Sequence, residues 1–354
     1  MKKLKVLNFN GQNIYVGIDC HLKSWKVTIY SVEFELTTFS QDPEPGILIN
    51  YLKRNFPGAK FKCVYEAGFS GFWMQREFKK HGIDCIIAHP ADIPTMDKEK
   101  KQKSDKIDSR KLSRSLKNNE IEGIYVPSLE LQEAKSLVRT RERIVSDIVR
   151  VKNRIKFFLM YHGIKLNSYG KRNWSKKFMN ELKSVKLKTS AGQLALFTFI
   201  KELEFLIHQE KELKNSIVKL SKEALFATNV RLLLTVPSIG ITTAMIFLSE
   251  IGDIRRFKTL DQLCSYFALI PNTHSSGEKE NTGRNTKRGN KFLKYIIIEC
   301  AWVAVRKDPG LLSYYKKQIV NKEPNKAIIK VAKKLLNRIK TVLNEQIEYQ
   351  VGLA

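Results

Sequence analysis

The sequence contains no run of about 18 to 20 consecutive apolar residues, the length that a membrane-spanning helix requires. Its basic first residues, Met1–Val6, lead directly into a strand-like segment, without the apolar core and cleavage site of a signal peptide. We therefore expect a cytoplasmic protein with no membrane partner.

Cysteine is scarce and scattered. The sequence has five cysteines, and none of them forms a Cys-x-x-Cys pair. This excludes a disulfide framework and the usual zinc-site spacings, and it predicts reduced, mostly buried thiols. The five are Cys20, Cys63, Cys85, Cys264 and Cys300.

Acidic residues are few relative to basic ones. The chain has 63 lysines and arginines against 35 aspartates and glutamates, which gives a formal net charge of +28. Such an excess repels itself unless a polyanion neutralises part of it. Since no membrane span is predicted, nucleic acid is the expected partner.

The 354 residues and 43% hydrophobic content predict a globular protein of two or three structural units. From Ile14 to about Pro127, short β-rich runs alternate with amphipathic segments at Pro45–Phe56 and Gly71–His81, which indicates an α/β region. The predicted strands are Ile14–Cys20, Lys26–Tyr30, Glu33–Phe39, Phe61–Ala67 and Asp84–Ala88.

Beyond Pro127 the apolar residues recur at three-and-four spacing, which predicts two long helices separated by a basic stretch. The helices could pair within one chain as an antiparallel arm, or between chains as an oligomerisation element. The first seam contains Leu137, Ile144, Ile148, Val151, Ile155 and Phe158, interrupted by Arg141. The second contains Leu196, Phe199, Leu203, Leu206, Leu213, Ile217, Leu220 and Ala224, interrupted by Glu210.

From Arg231 onward the pattern is again compact and mostly helical. The turn Pro237–Gly240 between two short apolar segments resembles a helix-hairpin-helix, whose backbone N–H groups can hold a DNA phosphate. An ordinary helical packing unit without a ligand is the alternative. The segment after Lys330 is lysine-rich and carries no motif.

Four acidic residues form the first candidate site. Asp19 and Glu66 each end a predicted buried strand, and ligands of open α/β sheets tend to lie at that edge. Asp105 and Asp108 stand three residues apart and so share one helical face. If the four converge, their repulsion calls for a cation, and oxygen ligands favour Mg²⁺ or Mn²⁺. Alternatively, each acid is a solvated strand end or helix start.

The segment from Pro271 to Asn290 is predicted to be a glycine-rich, hydroxyl-rich and basic loop. Such a loop suits close approach to a DNA backbone. Ser276 is the preferred nucleophile, Ser275 is the second choice, and His274 receives no role. The predicted nucleic-acid contacts are Gly277, Arg284, Lys287, Arg288 and Asn290.

The order and spacing of these motifs resemble those of the DEDD transposases of the bacterial insertion-sequence family one hundred and ten. The resemblance spans nearly the whole chain. It rests on Gly17-Ile-Asp19 with Trp25-x-Val27, Tyr65-Glu66-Ala67, Ser104-Asp105-x-x-Asp108, Pro237-x-Ile-Gly240, Ser276-Gly277, Thr286-Lys287-x-Gly289-Asn290 and Ala301-Trp302.

The resemblance implies an α/β plus all-α protein. Residues 1–127 would form a RuvC-like domain of the RNase H fold, residues 128–228 a coiled-coil region, and residues 229–354 a helical transposase domain with a helix-hairpin-helix-like element. It further implies that the four acids bind Mg²⁺ and that Ser276 forms a covalent phosphoserine link to DNA.

The same resemblance implies a homo-oligomer, a dimer or tetramer, in which acids of one subunit complete a site with the serine of another. A structured bridge RNA would pair with donor and target DNA, so that base pairing reads the sequence. The implied function is cut-and-join recombination of an insertion sequence by a nucleoid-associated bacterial enzyme. Two alternatives remain: a RuvC-like, metal-dependent nuclease that uses water, and a non-catalytic nucleic-acid-binding scaffold.

Overall fold

The structure is a computed structural model that describes residues 9–97, 104–166, 174–276, 279–285 and 288–352. The chain forms two compact units, Met1–Val126 (unit 1) and Pro127–Ala354 (unit 2). Within the described residues, each helix is too short or too polar to cross a bilayer. The further division of unit 2 near residue 228 stays a prediction.

Unit 1 contains a five-stranded mixed sheet with the strand order β3-β2-β1-β4-β5. The first three strands pair antiparallel, whereas β4 pairs in parallel with both β1 and β5. Each strand begins and ends within two residues of its prediction, so the α/β layout is confirmed. The strands are β1 (Asn13–Cys20), β2 (Trp25–Tyr30), β3 (Glu35–Gln41), β4 (Lys60–Glu66) and β5 (Asp84–Ala88).

Helices cover both faces of this sheet. One core joins Ile14, Val16 and Ile18 of β1 to α1 (Pro45–Asn55) and α2 (Trp73–Lys80). A second core, on the opposite face, joins Tyr15 of β1 to α3 (Asp105–Lys117). Odd-numbered residues of β1 therefore face α3, because side chains alternate between the two faces of a strand.

In unit 2, two long helices pack against each other within the chain, as one of the two sequence hypotheses proposed. They are α4 (Leu129–Tyr161) and α6 (Ser190–Leu220), with the short helix α5 (Lys176–Ser184) between them in sequence. Arg141 pairs with Glu210 and Arg154 pairs with Glu202, so the helices run antiparallel. We call this pair the arm.

Burial along the arm is concentrated at its two ends. Near one end, Leu131, Ala134, Val138 and Ile217 belong to the large core of unit 2. At the other end, a separate cluster is formed by Val151, Ile155, Leu159, Leu166, Phe178, Leu182, Leu196, Ile200 and Leu203. Between these ends, residues 139–150 and 204–216 include no fully buried side chain.

The remainder of unit 2 is mostly helical, as predicted, and its helices share one core. The lysine-rich C-terminal segment is part of this core, since α12 buries nine residues along one face. The helices are α7 (Ala227–Leu234), α8 (Ile241–Ile251), α9 (Leu260–Tyr266), α10 (Lys291–Ala304), α11 (Pro309–Ile319) and α12 (Pro324–Glu345).

The prediction that the segment from Pro271 to Asn290 is a loop is wrong, because the segment contains two strands. Strands β6 (Pro271–Ser276) and β7 (Lys279–Asn285) pair antiparallel, with Ser276 in register with Lys279. We call this element the serine hairpin. Its glycine and hydroxyl content suggested a loop, but only two residues, beginning with Gly277, separate the strands. Two strands this close in sequence commonly pair as a hairpin.

Candidate metal and serine centres

Two of the predicted acids end neighbouring strands of unit 1. Asp19 is the penultimate residue of β1, and Glu66 is the last residue of β4. The two strands are parallel, and Ile18 is in register with Tyr65, so Asp19 and Glu66 occupy adjacent positions at the same sheet edge. Asp19, as an odd-numbered residue of β1, lies on the face that α3 covers.

Helix α3 lies directly on β1 because Gly17 has no side chain. A Cβ atom at Gly17 would lie 2.2 Å from the Ser109 carbonyl oxygen and 2.4 Å from the Ser113 nitrogen. Two hydrogen bonds fix the helix there: the Ser113 hydroxyl donates to the Tyr15 carbonyl (2.8 Å), and the Ser109 and Thr28 hydroxyls pair (2.8 Å). This packing sets the position of the first turn of α3.

That first turn carries the other two acids. Ser104 caps α3 by accepting a hydrogen bond from the Ile107 N–H, and Asp105 and Asp108 follow in the first turn. Carboxylates are favoured at this end of a helix because the backbone dipole is positive there. Asp19, Glu66, Asp105 and Asp108, which we call the acid cluster, thus lie around one edge of the unit 1 sheet.

Two members of the acid cluster, Asp19 and Asp105, form a compact group with His21. Nε2 of His21 lies 3.2 Å from Oδ2 of Asp19 and 3.6 Å from Oδ1 of Asp105. One ligand atom from each of these three residues lies within 4.8 Å of the other two. Sequence analysis identified both aspartates but not His21.

The other two acids share a lysine. Nζ of Lys111 lies 3.0 Å from Oδ1 of Asp108 and 4.0 Å from Oε1 of Glu66. Lys111 is buried, with 8% of its surface exposed. Lysine is rarely this buried unless its charge is paired. The acid cluster is therefore organised by two basic side chains, His21 and Lys111.

The electrostatics of the cluster favour a further cation. Burial raises the pKa of Asp19, and the charges of Asp108 and Asp105 raise it further, while His21 acts in the opposite direction. The folded protein therefore disfavours the ionised form of Asp19. A divalent ion would relieve this by adding positive charge beside the carboxylate.

The residues present fit a hard divalent ion. Mg²⁺ holds oxygen ligands at about 2.1 Å, so adjacent ligands of an octahedral ion are about 3 Å apart. The 3.2 and 3.6 Å separations around His21 are close to that spacing. Cys20 does not suit a ligand, because burial and the neighbouring charges of Asp19 and Glu66 raise the pKa of its thiol to about 12.

Both missed residues had a sequence signal. His21 stands two residues after Asp19, beyond the last residue of β1, where the chain can turn back toward the cluster. Lys111 stands three residues after Asp108 and therefore shares its helical face. Neither signal is distinctive in a chain with 63 basic residues and six histidines.

The second centre is the serine hairpin of unit 2. His274, Ser275 and Ser276 lie consecutively at the end of β6, and Ser276 is its last residue. Among the predicted nucleic-acid contacts, Arg284 lies in β7, whereas Gly277 and Lys287 lie outside the described residues. Arg288 is exposed between the hairpin and α10.

Asn290 has several partners within unit 2. Its side-chain oxygen caps α10 by accepting hydrogen bonds from the N–H groups of Phe292 and Leu293. Its amide nitrogen donates to Oε2 of Glu250 (2.8 Å), and its backbone N–H donates to the Tyr266 carbonyl (2.7 Å). Asn290 therefore fixes the chain where it leaves the hairpin segment, and its predicted contact with nucleic acid stays a prediction.

Gly289 allows the chain that follows the hairpin to pack closely against the end of α9. Its φ of +111° lies in a region that residues with side chains rarely adopt. A Cβ atom there would also lie 2.6 Å from the Ser265 carbonyl oxygen and 2.9 Å from the Ala268 nitrogen. The residues that follow the hairpin thus pack against the end of α9 with no room for a side chain.

Glu250, which sequence analysis did not identify, is the centre of this attachment. Its side chain is fully buried in α8 and accepts hydrogen bonds from Arg139 as well as Asn290. Nζ of Lys135 lies 3.0 Å from its Oε2. Burial alone would raise the pKa of Glu250, but the hydrogen bonds and charges of Arg139 and Lys135 outweigh burial and lower it. The signal available in the sequence was a single charged residue, Glu250, in the otherwise uncharged segment Ile241–Ile251.

Comparison with known proteins places both centres within one family. A DEDD transposase family model matches residues 16–162, which include the acid cluster. A second model, described as the transposase IS116/IS110/IS902 family, matches residues 230–316, which include the serine hairpin. Together the two matched segments cover well over half of the chain.

Individual relatives agree with this result. The chain is 28% identical to the protein y4qE of Sinorhizobium fredii over 69% of its own length, although the match spans only 59% of y4qE. It is 28% identical to the protein y4rJ of the same organism, over 86% of this chain and 84% of that one. It is 24% identical to the transposase for insertion sequence element IS1111A of Coxiella burnetii, over 83% and 80% of the two chains. The chain belongs to the IS110 family of insertion-sequence transposases.

Proposed function

We propose that this protein cuts and rejoins DNA during transposition of an insertion sequence, using a metal-bound acid cluster and the hydroxyl of Ser276. The observation that carries the proposal is the convergence of Asp19, Glu66, Asp105 and Asp108 at one sheet edge. Isolated surface acids would not need the shared basic partners found here.

We further propose that unit 1 is an RNase H-like domain of the RuvC type. Its support is the mixed sheet order β3-β2-β1-β4-β5, with acids at the ends of the two central parallel strands and on the covering helix. In this arrangement Asp19 and Glu66 are the strand contributions, and Asp105 and Asp108 are the helix contributions.

In the proposed site, Asp19, Glu66, Asp105 and Asp108 would hold Mg²⁺, for which Mn²⁺ can substitute. The ion, when bound, supplies Lewis-acid stabilisation of charge on a phosphoryl group. His21 adds a nitrogen donor beside Asp19 and Asp105, and Lys111 holds the carboxylates of Asp108 and Glu66 in place.

The proposed covalent step is a transesterification at phosphorus. The oxygen of Ser276 loses its proton and forms a bond to phosphorus, while the bond from phosphorus to one deoxyribose oxygen breaks. The departing deoxyribose oxygen takes up a proton and leaves as a hydroxyl group. Reversal with another DNA end restores the phosphodiester, so the strand is rejoined without an external energy source.

The partners in this proposal are donor and target DNA and a bridge RNA that specifies the sites by base pairing. A homo-oligomer, a dimer or tetramer, would bring the serine of one subunit to the acids of another. The net charge of +28 supports binding to nucleic acid and predicts affinity that falls steeply with salt. Sequencing RNA that copurifies with the protein tests the RNA partner.

The decisive experiment is trapping of the protein on cleaved DNA. The wild-type protein is expected to give an SDS-resistant protein–DNA adduct that Ser276→Ala abolishes. Ser275→Ala is the matched control, since it removes the neighbouring hydroxyl from the same strand, and the adduct is expected to persist. An adduct that survives Ser276→Ala would disprove the assigned nucleophile.

The same experiment distinguishes the proposed recombinase from a nuclease that uses water as its nucleophile. All four acids lie within unit 1, so metal-dependent hydrolysis by water needs no residue of the hairpin. Cleavage without any adduct, lost in Asp19→Asn and retained in Ser276→Ala, would favour that alternative.

A further inference from the structure

The acid cluster is divided into two pairs by its basic neighbours. Asp19 and Asp105 both face Nε2 of His21, whereas Asp108 and Glu66 both face Nζ of Lys111. The first pair surrounds a ligand atom that can bind a metal. The second pair surrounds an ammonium group, which carries positive charge and has no acceptor.

We infer that the ammonium group of Lys111 takes the place of a second divalent ion, so that unit 1 binds one ion, at Asp19, Asp105 and His21. The inference rests on the proposed metal site and narrows it: Asp19 and Asp105 hold the ion directly, whereas Lys111 neutralises Glu66 and Asp108. Carboxylate sites for phosphoryl transfer can hold two ions about 3.5 to 4 Å apart. Here the carboxylates that a second ion would use already have a cation.

Lys111 is fixed in this position by the fold. Only 10% of its side chain is exposed, and it contacts Asp108 one turn earlier on the same helix. Its neighbours Leu112 and Ser113 belong to the part of α3 that lies directly on Gly17. A movement of α3 that separated Lys111 from Glu66 would therefore have to break the packing of α3 on β1, whereas Asp108 moves with Lys111 because both lie on α3.

The charge of Lys111 would repel a divalent ion at these carboxylates. Its Nζ lies 3.0 Å from Oδ1 of Asp108, which is hydrogen-bond distance. An ion bound to the same oxygen at about 2.1 Å would lie close to the ammonium group. Two like charges in a partly buried site interact strongly, since water screens them poorly. The first pair faces Nε2 of His21 instead, and an imidazole nitrogen can itself be a metal ligand.

The experiment is a count of bound Mn²⁺ on the full-length protein, by calorimetric titration and by electron paramagnetic resonance. The wild type is expected to bind one Mn²⁺ that Asp19→Asn removes, with the spectrum of an isolated ion. Lys111→Met, which keeps the side-chain length without the charge, is expected to bind two ions with the spectrum of a coupled pair. Lys111→Arg retains the charge and is expected to bind one.

Lys106→Met is the matched control, because Lys106 is an exposed lysine on the same helix beside Asp105. It changes the net charge equally and is expected to leave the count at one. Circular dichroism establishes that each variant is folded. If Lys111→Met does not fold, the count on the wild type still decides.

Two ions on the wild type, or one ion on folded Lys111→Met, would overturn the inference while leaving the proposed metal site intact. A different result identifies failure of the proposed function itself. If Asp19→Asn removes no bound Mn²⁺ from the wild type, the acid cluster is not a metal site, and the inference fails with it.

Discussion

The two carboxylate centres of this protein balance their charge in opposite ways. In unit 1, four acids share two basic side chains, and the pKa of Asp19 is raised mainly by burial. In unit 2, the single carboxylate of Glu250 is paired with both Lys135 and Arg139, and its pKa is lowered. A carboxylate whose charge is offset by basic side chains of the protein contributes to the fold. A group of carboxylates that retains net negative charge is suited to bind a cation.

The comparison predicts the largest change in stability at Glu250. In Glu250→Ala, Lys135 and Arg139 lose their buried partner, and removal of one member of a buried ion pair costs about 3 to 5 kcal/mol. Chemical denaturation of unit 2 measures this loss. Glu212→Ala is the control, because Glu212 is 67% exposed and its pairing with His208 is at the surface, so little change is expected. Equal effects of the two variants would contradict the comparison.

The next largest effect is expected where α3 meets β1. Gly17→Ala places a methyl group within 2.4 Å of two backbone atoms of α3, and such overpacking costs about 1 to 3 kcal/mol. Displacement of α3 moves Asp105 and Asp108, so loss of Mn²⁺ binding is also expected. Gly46→Ala serves as the control, since a Cβ at Gly46 has no described atom within 4 Å. Retained metal binding in Gly17→Ala would show that α3 tolerates the shift.

The pH dependence of the free energy of unfolding tests a second carboxylate of unit 2 whose charge is offset by the protein, Asp308. Asp308 is buried and accepts hydrogen bonds from Tyr349, from Arg338 and from two backbone N–H groups of α11. Burial alone would raise the pKa of Asp308, but these hydrogen bonds and the Arg338 charge outweigh it and lower it.

Because the folded pKa of Asp308 is lowered, its contribution is present above the unfolded pKa of about 3.9 and is lost as pH falls through the folded pKa. Denaturation at about pH 7 and pH 3 is expected to show a smaller acid loss in Asp308→Asn, by about 1 kcal/mol. Asp261→Asn, at an exposed residue of α9, is expected to keep the wild-type difference. An unchanged acid loss in Asp308→Asn would refute this.

The smallest effect on stability is expected at Asp19, with the opposite sign. The raised pKa of Asp19 means that its charged form destabilises the folded protein without metal. This contribution is absent below the unfolded pKa of about 3.9 and is complete once pH has risen through the folded pKa. Asp19→Asn is therefore expected to raise the free energy of unfolding by up to about 1 kcal/mol while abolishing metal binding. A marked loss of stability in metal-free buffer would mean that Asp19 is structural.

Unit 1 was largely predictable from the sequence, because its determinants are local. Alternating and continuous apolar runs identified all five strands, and the position of Asp19 and Glu66 at strand ends placed them together. His21 and Lys111 were missed because their importance comes from tertiary contacts, and basic residues are too common here to be distinctive. The close packing at Gly17 was likewise invisible until α3 was in place.

Unit 2 was harder to predict. The two polar interruptions of the helical seams, Arg141 and Glu210, were noted separately, but only the folded arm shows that Nη2 of Arg141 and Oε1 of Glu210 are 2.6 Å apart. The glycine-rich and hydroxyl-rich composition of the hairpin predicts a loop. The short spacing between its two strands was the opposing signal. The apolar spacing of α12 was obscured by its lysines.

The uneven burial of the arm has a consequence for its local dynamics. Opening of a helical segment requires less free energy where few apolar side chains are buried, so the middle of α4 and α6 is the weakest part of the pair. Amide hydrogens there should exchange with deuterium sooner than those near Val138 or Leu159. The arm would then bend about its centre, where few side chains are buried, while both ends keep their packing.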